Sequence, residues 1–167
     1  RSLRACLPPQ SADSEPRFVP ARKSRETINA FLNTLYDAQP TLRPPDYHAA
    51  AVALSRRLKR RSLVVVVSNL RDADDEDLLL AARLLGRRHL VFVASMKDRA
   101  LSAALETRVR DLDSALTVAA THQYLLARRR AHERLRKSGI LTLDAEPHEL
   151  AVALVNGYLD VKASGVL

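Results

Sequence analysis

The sequence predicts an α/β fold, a doubly wound, mainly parallel sheet flanked by helices. Three observations predict it. The run SLVVVVSNL, residues 62–70, follows the basic stretch RRLKRR and ends at the small polar pair Ser68 and Asn69. An apolar run with four consecutive valines, too short to span a membrane, reads as a strand buried on both faces, as in parallel sheets covered by helices. The pattern then recurs: LLGRRHLVFVAS ends at Ser95, and RLRKSGILTLDA ends at Asp144 and Ala145. Finally, aromatic residues make up only 4% of the chain and Trp is absent, so the core is Leu, Val and Ala, which suits helices packed on a sheet.

Taken in order, residues 3–7 read as a short strand or strand remnant, and residues 8–23, with Pro, Ser and charge, as a loop. Ser24 is placed to cap a helix over 25–38 that carries Ile28, Phe31, Leu32 and Leu35 on one face. Pro40, Pro44 and Pro45 interrupt the chain. A second helix, from Asp46 to Arg60, spaces Ala50, Leu54 and Leu58 by four. The strand 63–68 comes next, and RDADDED then supplies an acidic first helical turn. That helix points Leu78, Ala81, Ala82 and Leu85 at the core, and Gly86 sits where a C-terminal cap belongs. A strand at 89–95 and a short helix at 99–106 follow. A long helix over 114–137 has Leu116, Ala120, Tyr124, Ala127, Ala131 and Leu135 at helical spacing, and Gly139 ends it. A strand at 140–144 and a helix from Pro147 to Ala163, with Pro tolerated in its first turn, close the chain.

A length of 167 residues fits one domain. Cys6 is the lone cysteine, so no internal disulfide is possible, and no apolar run reaches the length of a membrane helix. The single Met is Met96, and the opening RSLRACLPPQ resembles the tail of a strand entering a loop. The expectation is therefore the C-terminal part of a longer protein.

The net charge of +8 suggests a polyanion partner, but the charges have a pattern of their own. Arg56, Arg57, Lys59, Arg60 and Arg61, then Arg87 and Arg88, then Arg134, Arg136 and Lys137 each precede a strand. In a parallel sheet they line the amino edge, where they complement the C-terminal ends of the helices. Asp72, Asp74 and Asp75, then Asp98, then Asp144 and Glu146 follow the strands, at the carboxyl edge where open α/β sheets bind ligands. The molecule is expected to be acidic at one pole and basic at the other.

Catalytic constellations are missing. No GxSxG, GxGxxG or GxxxxGK occurs, and Cys6 has no His beside it, so no enzyme is expected. His48, His89, His122, His132 and His148 do not share metal-ligand spacing. ARRRAHERLRK, residues 127–137, is the best candidate for a polyanion contact, through Arg128, Arg129, Arg130 and Arg134. Lacking interleaved aromatics for base stacking, it disfavours a nucleic-acid partner and stands as the alternative reading.

The segments LYDAQP, PPDYHAAAVALSRRLKRRSLVVVVSNL, RRHLVFVASMKD and VNGYLDVKASGVL together resemble the bacterial family called domain of unknown function 58, whose fold is similar to the von Willebrand factor A domain. The resemblance implies the C-terminal portion of such a domain, cytoplasmic and anchored at the inner membrane by an upstream segment. It further implies a non-enzymatic protein-interaction role with MoxR-type AAA+ ATPases, without a small-molecule substrate. The partner surface would be Pro45, Asp46 and Tyr47 together with Asn69, Asp72 and Asp98. The family's metal-ion-dependent adhesion site would fall at Ser68 and Asn69, a degenerate Ser-Asn pair where Ser/Thr-Asp is usual. Asn lacks the charge that a hard cation favours. No cofactor is thus expected in this chain, and Mg²⁺ only if an Asp-x-Ser-x-Ser precedes it. The family's strand order would also leave the strand 63–68 with an open edge, prone to self-association.

Overall fold

A computed structural model describes residues 5–7, 17–19, 29, 32–34, 36, 45–70 and 75–166. The chain divides into two compact units, Arg1–Lys59 and Arg60–Leu167.

In the first unit, β1 (Ala5–Leu7) and β2 (Arg17–Val19) form an antiparallel pair in which Cys6 lies opposite Phe18. The expected loop over residues 8–23 therefore contains a strand. Three residues without apolar alternation carry no legible strand signal. The guanidinium of Arg57 sits over the Phe18 ring, 3.8 Å from its centroid. Positions 29, 32–34 and 36 are helical, as expected, but Leu32 is exposed where the sequence placed it on a core face. Helix α1 (Tyr47–Arg57) begins at Asp46, whose Oδ1 accepts the Ala49 N–H at 2.7 Å. Ala51 is its buried residue, and Ala50, Leu54 and Leu58 are half-buried.

The second unit contains β3 (Leu63–Ser68), α2 (Asp75–Gly86), β4 (Leu90–Met96), α3 (Arg99–Glu106), α4 (Leu112–Lys137), β5 (Leu141–Ala145) and α5 (Pro147–Ala163). The three strands form a parallel sheet in the order β3-β4-β5. The α/β architecture and the common strand direction are those the sequence predicts. Among the described residues no helix is long and apolar enough to cross a membrane.

Burial differs between the strands. Central β4 is covered on both faces, with Val91 to Ser95 all buried. The β3 run of valines is not: Val65 and Val67 are 42% and 53% exposed. This corrects the expectation of a strand buried on both sides. Val64 and Val91 are paired in register, as are Val65 and Phe92, so alternate residues share opposite faces. Helix α5 packs on β4 and β5, which leaves that face of the edge strand β3 open within the unit.

Helix α2 buries Leu78, Ala81, Ala82 and Leu85, the stripe its sequence shows. Gly86 is its last residue and lacks the left-handed φ of a glycine cap. Helix α4 starts at a capping box, in which Asp111 Oδ1 accepts from the Ser114 N–H at 2.8 Å and Ser114 Oγ accepts from the Asp111 N–H at 3.1 Å. It ends in a Schellman motif. Gly139 takes φ +76°, its N–H donates to Arg136 O at 3.0 Å, and the Ile140 N–H donates to Leu135 O at 3.1 Å. Ile140 and Leu135 are both buried, so the turn enters β5 in a fixed direction.

The lengths of these elements set the register of helix on sheet. Helix α4 has 26 residues, a span of about 39 Å at 1.5 Å per residue. The five residues of β5 cover only about 17 Å. Counting back from the Schellman turn, the helix draws level with the carboxyl tip of β5 about nine residues before Lys137, near Arg128. Everything earlier in α4 projects past the sheet edge, toward α3. Leu116 and Ala120, expected in the core, are exposed for this reason. The stripe that packs is Thr121, Arg128, Ala131, His132 and Leu135.

Candidate functional site

The three parallel strands end together, in register: Ser68 beside Ser95, and Ser95 beside Asp144. Over these tips lies the Arg128 side chain, only 3% exposed. Its Nη2 donates to Asp144 Oδ1 at 2.7 Å, to Met96 O at 2.8 Å and to Ser95 Oγ. Its Nε donates to Asp144 Oδ2 at 3.3 Å. Its Nη1 reaches Leu70 O at 3.1 Å and Asn69 Oδ1 at 3.3 Å. The Leu70 carbonyl accepts a further bond, at 3.2 Å, from the Tyr124 hydroxyl. One guanidinium thus joins the ends of β3, β4 and β5. A planar fork of five N–H donors is the side chain able to do so, since a lysine ammonium offers three donors from one point.

This arrangement changes the expected charge map. Acidic groups do follow the strands and basic groups precede them, but Arg128 is a cation at the acidic pole. The sequence groups Arg128 with Arg129, Arg130 and Arg134 as a polyanion contact. It is instead turned inward with its donors engaged, while Arg129, Arg130 and Arg134 are exposed.

The site does not fit a divalent cation at Asn69. The side-chain oxygen that would bind the ion faces a guanidinium, which repels a second cation. Among the described residues no three His, Cys, Asp or Glu side chains cluster as metal ligands. Ser68 is half-buried at the end of β3.

The other candidate positions are dispersed. Asp98 caps α3, its Oδ1 accepting the Ala100 N–H at 2.9 Å. Next to it, Arg99 Nε donates to Glu146 Oε2 at 2.9 Å, and that hydrogen bond holds the Glu146 carboxyl below its usual range. Pro45, Asp46 and Tyr47 form the start of α1 in the first unit. Asp72 lies outside the described residues.

Two buried histidines were not singled out by the sequence. His132 Nε2 lies 3.8 Å from Asp144 Oδ2, too far for a hydrogen bond, and lacks a partner. Burial lowers its pKa; Asp144 opposes this, and Arg128 and Arg136 add to it. His89 is also lowered, by burial first and then by Arg88. A histidine whose folded-state pKa is depressed binds its proton more readily in the unfolded chain. Stability should therefore be complete above the ordinary histidine value of about 6.5 and decline as the pH falls below it. Thermal unfolding between about pH 7.5 and 5.5 should show a falling midpoint, and the fall should shrink in the His89→Leu/His132→Leu double variant. An acid-side slope unchanged in that variant would assign the effect to other groups.

No curated protein and no solved structure matches the chain significantly. One family model does, described as "Protein of unknown function DUF58", and it matches residues 10–139. That span takes in β2, helices α1 to α4 and the strands β3 and β4, and it reaches Gly139 of the turn that fixes Arg128 over the strand tips. On that match, the chain belongs to the DUF58 family.

Proposed function

We propose that this chain is a non-enzymatic protein-interaction domain that receives its partner on the carboxyl edge of the β3-β4-β5 sheet. The observation that carries the reading is the Arg128 cluster. Its guanidinium donors are all engaged inside the protein, by Asp144, Ser95, Asn69 and the carbonyls of Leu70 and Met96. The strand tips are thereby held as a rigid, internally neutralised platform. A catalytic or cation site needs polar groups left available for a substrate or ion. A docking surface needs fixed geometry with polar groups at its rim, which exposed Asn69, Asp98 and Asp144 supply. The resemblance to von Willebrand A-like proteins favours a MoxR-type AAA+ ATPase as the partner.

Binding of a purified MoxR-type ATPase to the full-length protein tests this. Asn69→Ala with Asp98→Asn should weaken binding about tenfold, as the loss of contacts at a docking centre does. Asn at position 98 keeps the helix cap, so the change reports on charge. The pair Arg129→Gln/Arg130→Gln, which removes two charges from the exposed side of α4, should leave binding intact. Absence of binding overturns the partner, and equal binding by all variants overturns the surface. Salt-sensitive retention on a polyanion column, lost in Arg129→Gln/Arg130→Gln, would favour the basic face of α4 instead.

A further inference from the structure

At the opposite end of the sheet lies a cavity of about 380 Å³, lined by Arg61, Arg83, Arg87, His89, Ser138 and Gly139 with apolar residues of β4 and α2. This volume falls within the roughly 300–1,000 Å³ of small-molecule sites. No carboxylate lines it. Among the described residues Arg61, Arg83 and Arg87 form no ion pair. Arg83 is oriented by Ser138, whose Oγ accepts from its Nε at 3.2 Å and its Nη2 at 3.0 Å. Compensation of the helix C-termini accounts for Arg83, in the last turn of α2. It does not account for Arg61, which the sequence groups with the helix-end charges but which lies beyond the last turn of α1, ended at Arg57.

His89 supplies the independent observation. It lines the cavity, is 5% exposed, and has neither ring nitrogen paired. Buried polar side chains are nearly always hydrogen-bonded, so an imidazole in this state lacks a partner that the protein itself does not provide. The backbone N–H groups beside it are already engaged: His89 with Leu85 O, Leu90 with Ser62 O, Gly139 with Arg136 O, and Ile140 with Leu135 O. Among the described residues, the donors left over are therefore those of Arg61 and Arg87, the Nη1 of Arg83, and the imidazole.

We propose that this cavity binds the phosphate group of a small phosphate monoester, held by the guanidinium groups of Arg61 and Arg87 and by Nη1 of Arg83, with the His89 imidazole as a donor in the wall. Guanidinium forks match phosphate oxygens in pairs, and three guanidinium groups suit a dianion better than a carboxylate. The site stands apart from the docking edge and departs from the expectation, from sequence, that no small molecule is bound.

Calorimetric titration of the full chain with inorganic phosphate and glycerol 3-phosphate tests the proposal, alongside ¹⁵N detection of the His89 ring. Binding should saturate and shift the His89 ring signals. Arg61→Gln/Arg87→Gln should weaken binding at least about tenfold, as loss of paired guanidinium contacts does. Arg129→Gln/Arg130→Gln, with the same charge loss on exposed α4, should change it less than about twofold, because salt screens distant charges. Vesicles of phosphatidic acid bound more tightly than glycerol 3-phosphate, through the same arginines, would identify the monoester as a lipid headgroup. No saturation, equal losses in the two variants, or tighter binding of an RNA lacking a terminal phosphate each overturns the site.

Discussion

Replacing Asp144 with Ala should destabilise the second unit by about 3 kcal/mol, the scale for breaking a buried ion pair from one side. The two partners are unequally placed. Arg128 is 3% exposed, whereas the Asp144 side chain is 36% exposed and can rehydrate when orphaned. Losing the carboxylate strands a cation in the interior, which is the costlier half of the break. Arg128→Met keeps much of the aliphatic stem but leaves the carbonyls of Leu70 and Met96 without this donor. It should cost about 2–3 kcal/mol, since each buried acceptor left unmade costs about 1–3 kcal/mol and some will take up water. The double variant Arg128→Met/Asp144→Leu should lose less than the sum of the singles, because neither charge is then stranded. Arg128→Lys should not restore stability, as one ammonium cannot bridge three strands. Urea unfolding gives all of these from the midpoint at constant slope. An Arg128→Met midpoint equal to wild type would place the guanidinium in solvent.

The second large effect reverses a general rule. Gly to Ala within a helix usually adds up to about 1 kcal/mol of stability. At Gly157 of α5 a Cβ would lie 2.6 Å from Cε1 and 2.8 Å from Cζ of Phe92. That ring is buried on the central strand, so it has little room to move. Overpacking costs about 1–3 kcal/mol, which outweighs the propensity gain. Gly157→Ala should therefore lower stability by about 1–2 kcal/mol. Gly86→Ala is the internal control: a Cβ there meets nothing within 4 Å, and it should be neutral or stabilising. A Gly157→Ala variant as stable as Gly86→Ala would mean that α5 does not lie against Phe92.

What the sequence reveals follows from how each signal arises. The strands of the second unit announce themselves because parallel strands are apolar runs bounded by charge. The α2 stripe shows because Leu78, Ala81, Ala82 and Leu85 are all apolar and at helical spacing. Strand β3 misled for a physical reason: a row of valines reads the same in an edge strand with one open face as in a central one. The β1-β2 pair is too short to carry a period. Arg128 was hidden in a basic run, where a charged residue reads as solvated. The legible clue was arithmetic. A helix far longer than the strand after it must overhang the sheet, and the residue level with the strand tip is found by counting back from Gly139. Gly157 gave no signal, because the need for a missing Cβ depends on Phe92, far away in the chain.

A single guanidinium lies inside the protein and grips three strand ends. Nitrogen-resolved NMR of the arginine side chains observes it directly. Arg128 should show an Nε–H that exchanges slowly with water and Nη protons that are resolved from one another, because fixed acceptors hinder rotation. An Arg128 signal averaged and exchanging as fast as those of exposed Arg129 and Arg130 would contradict it.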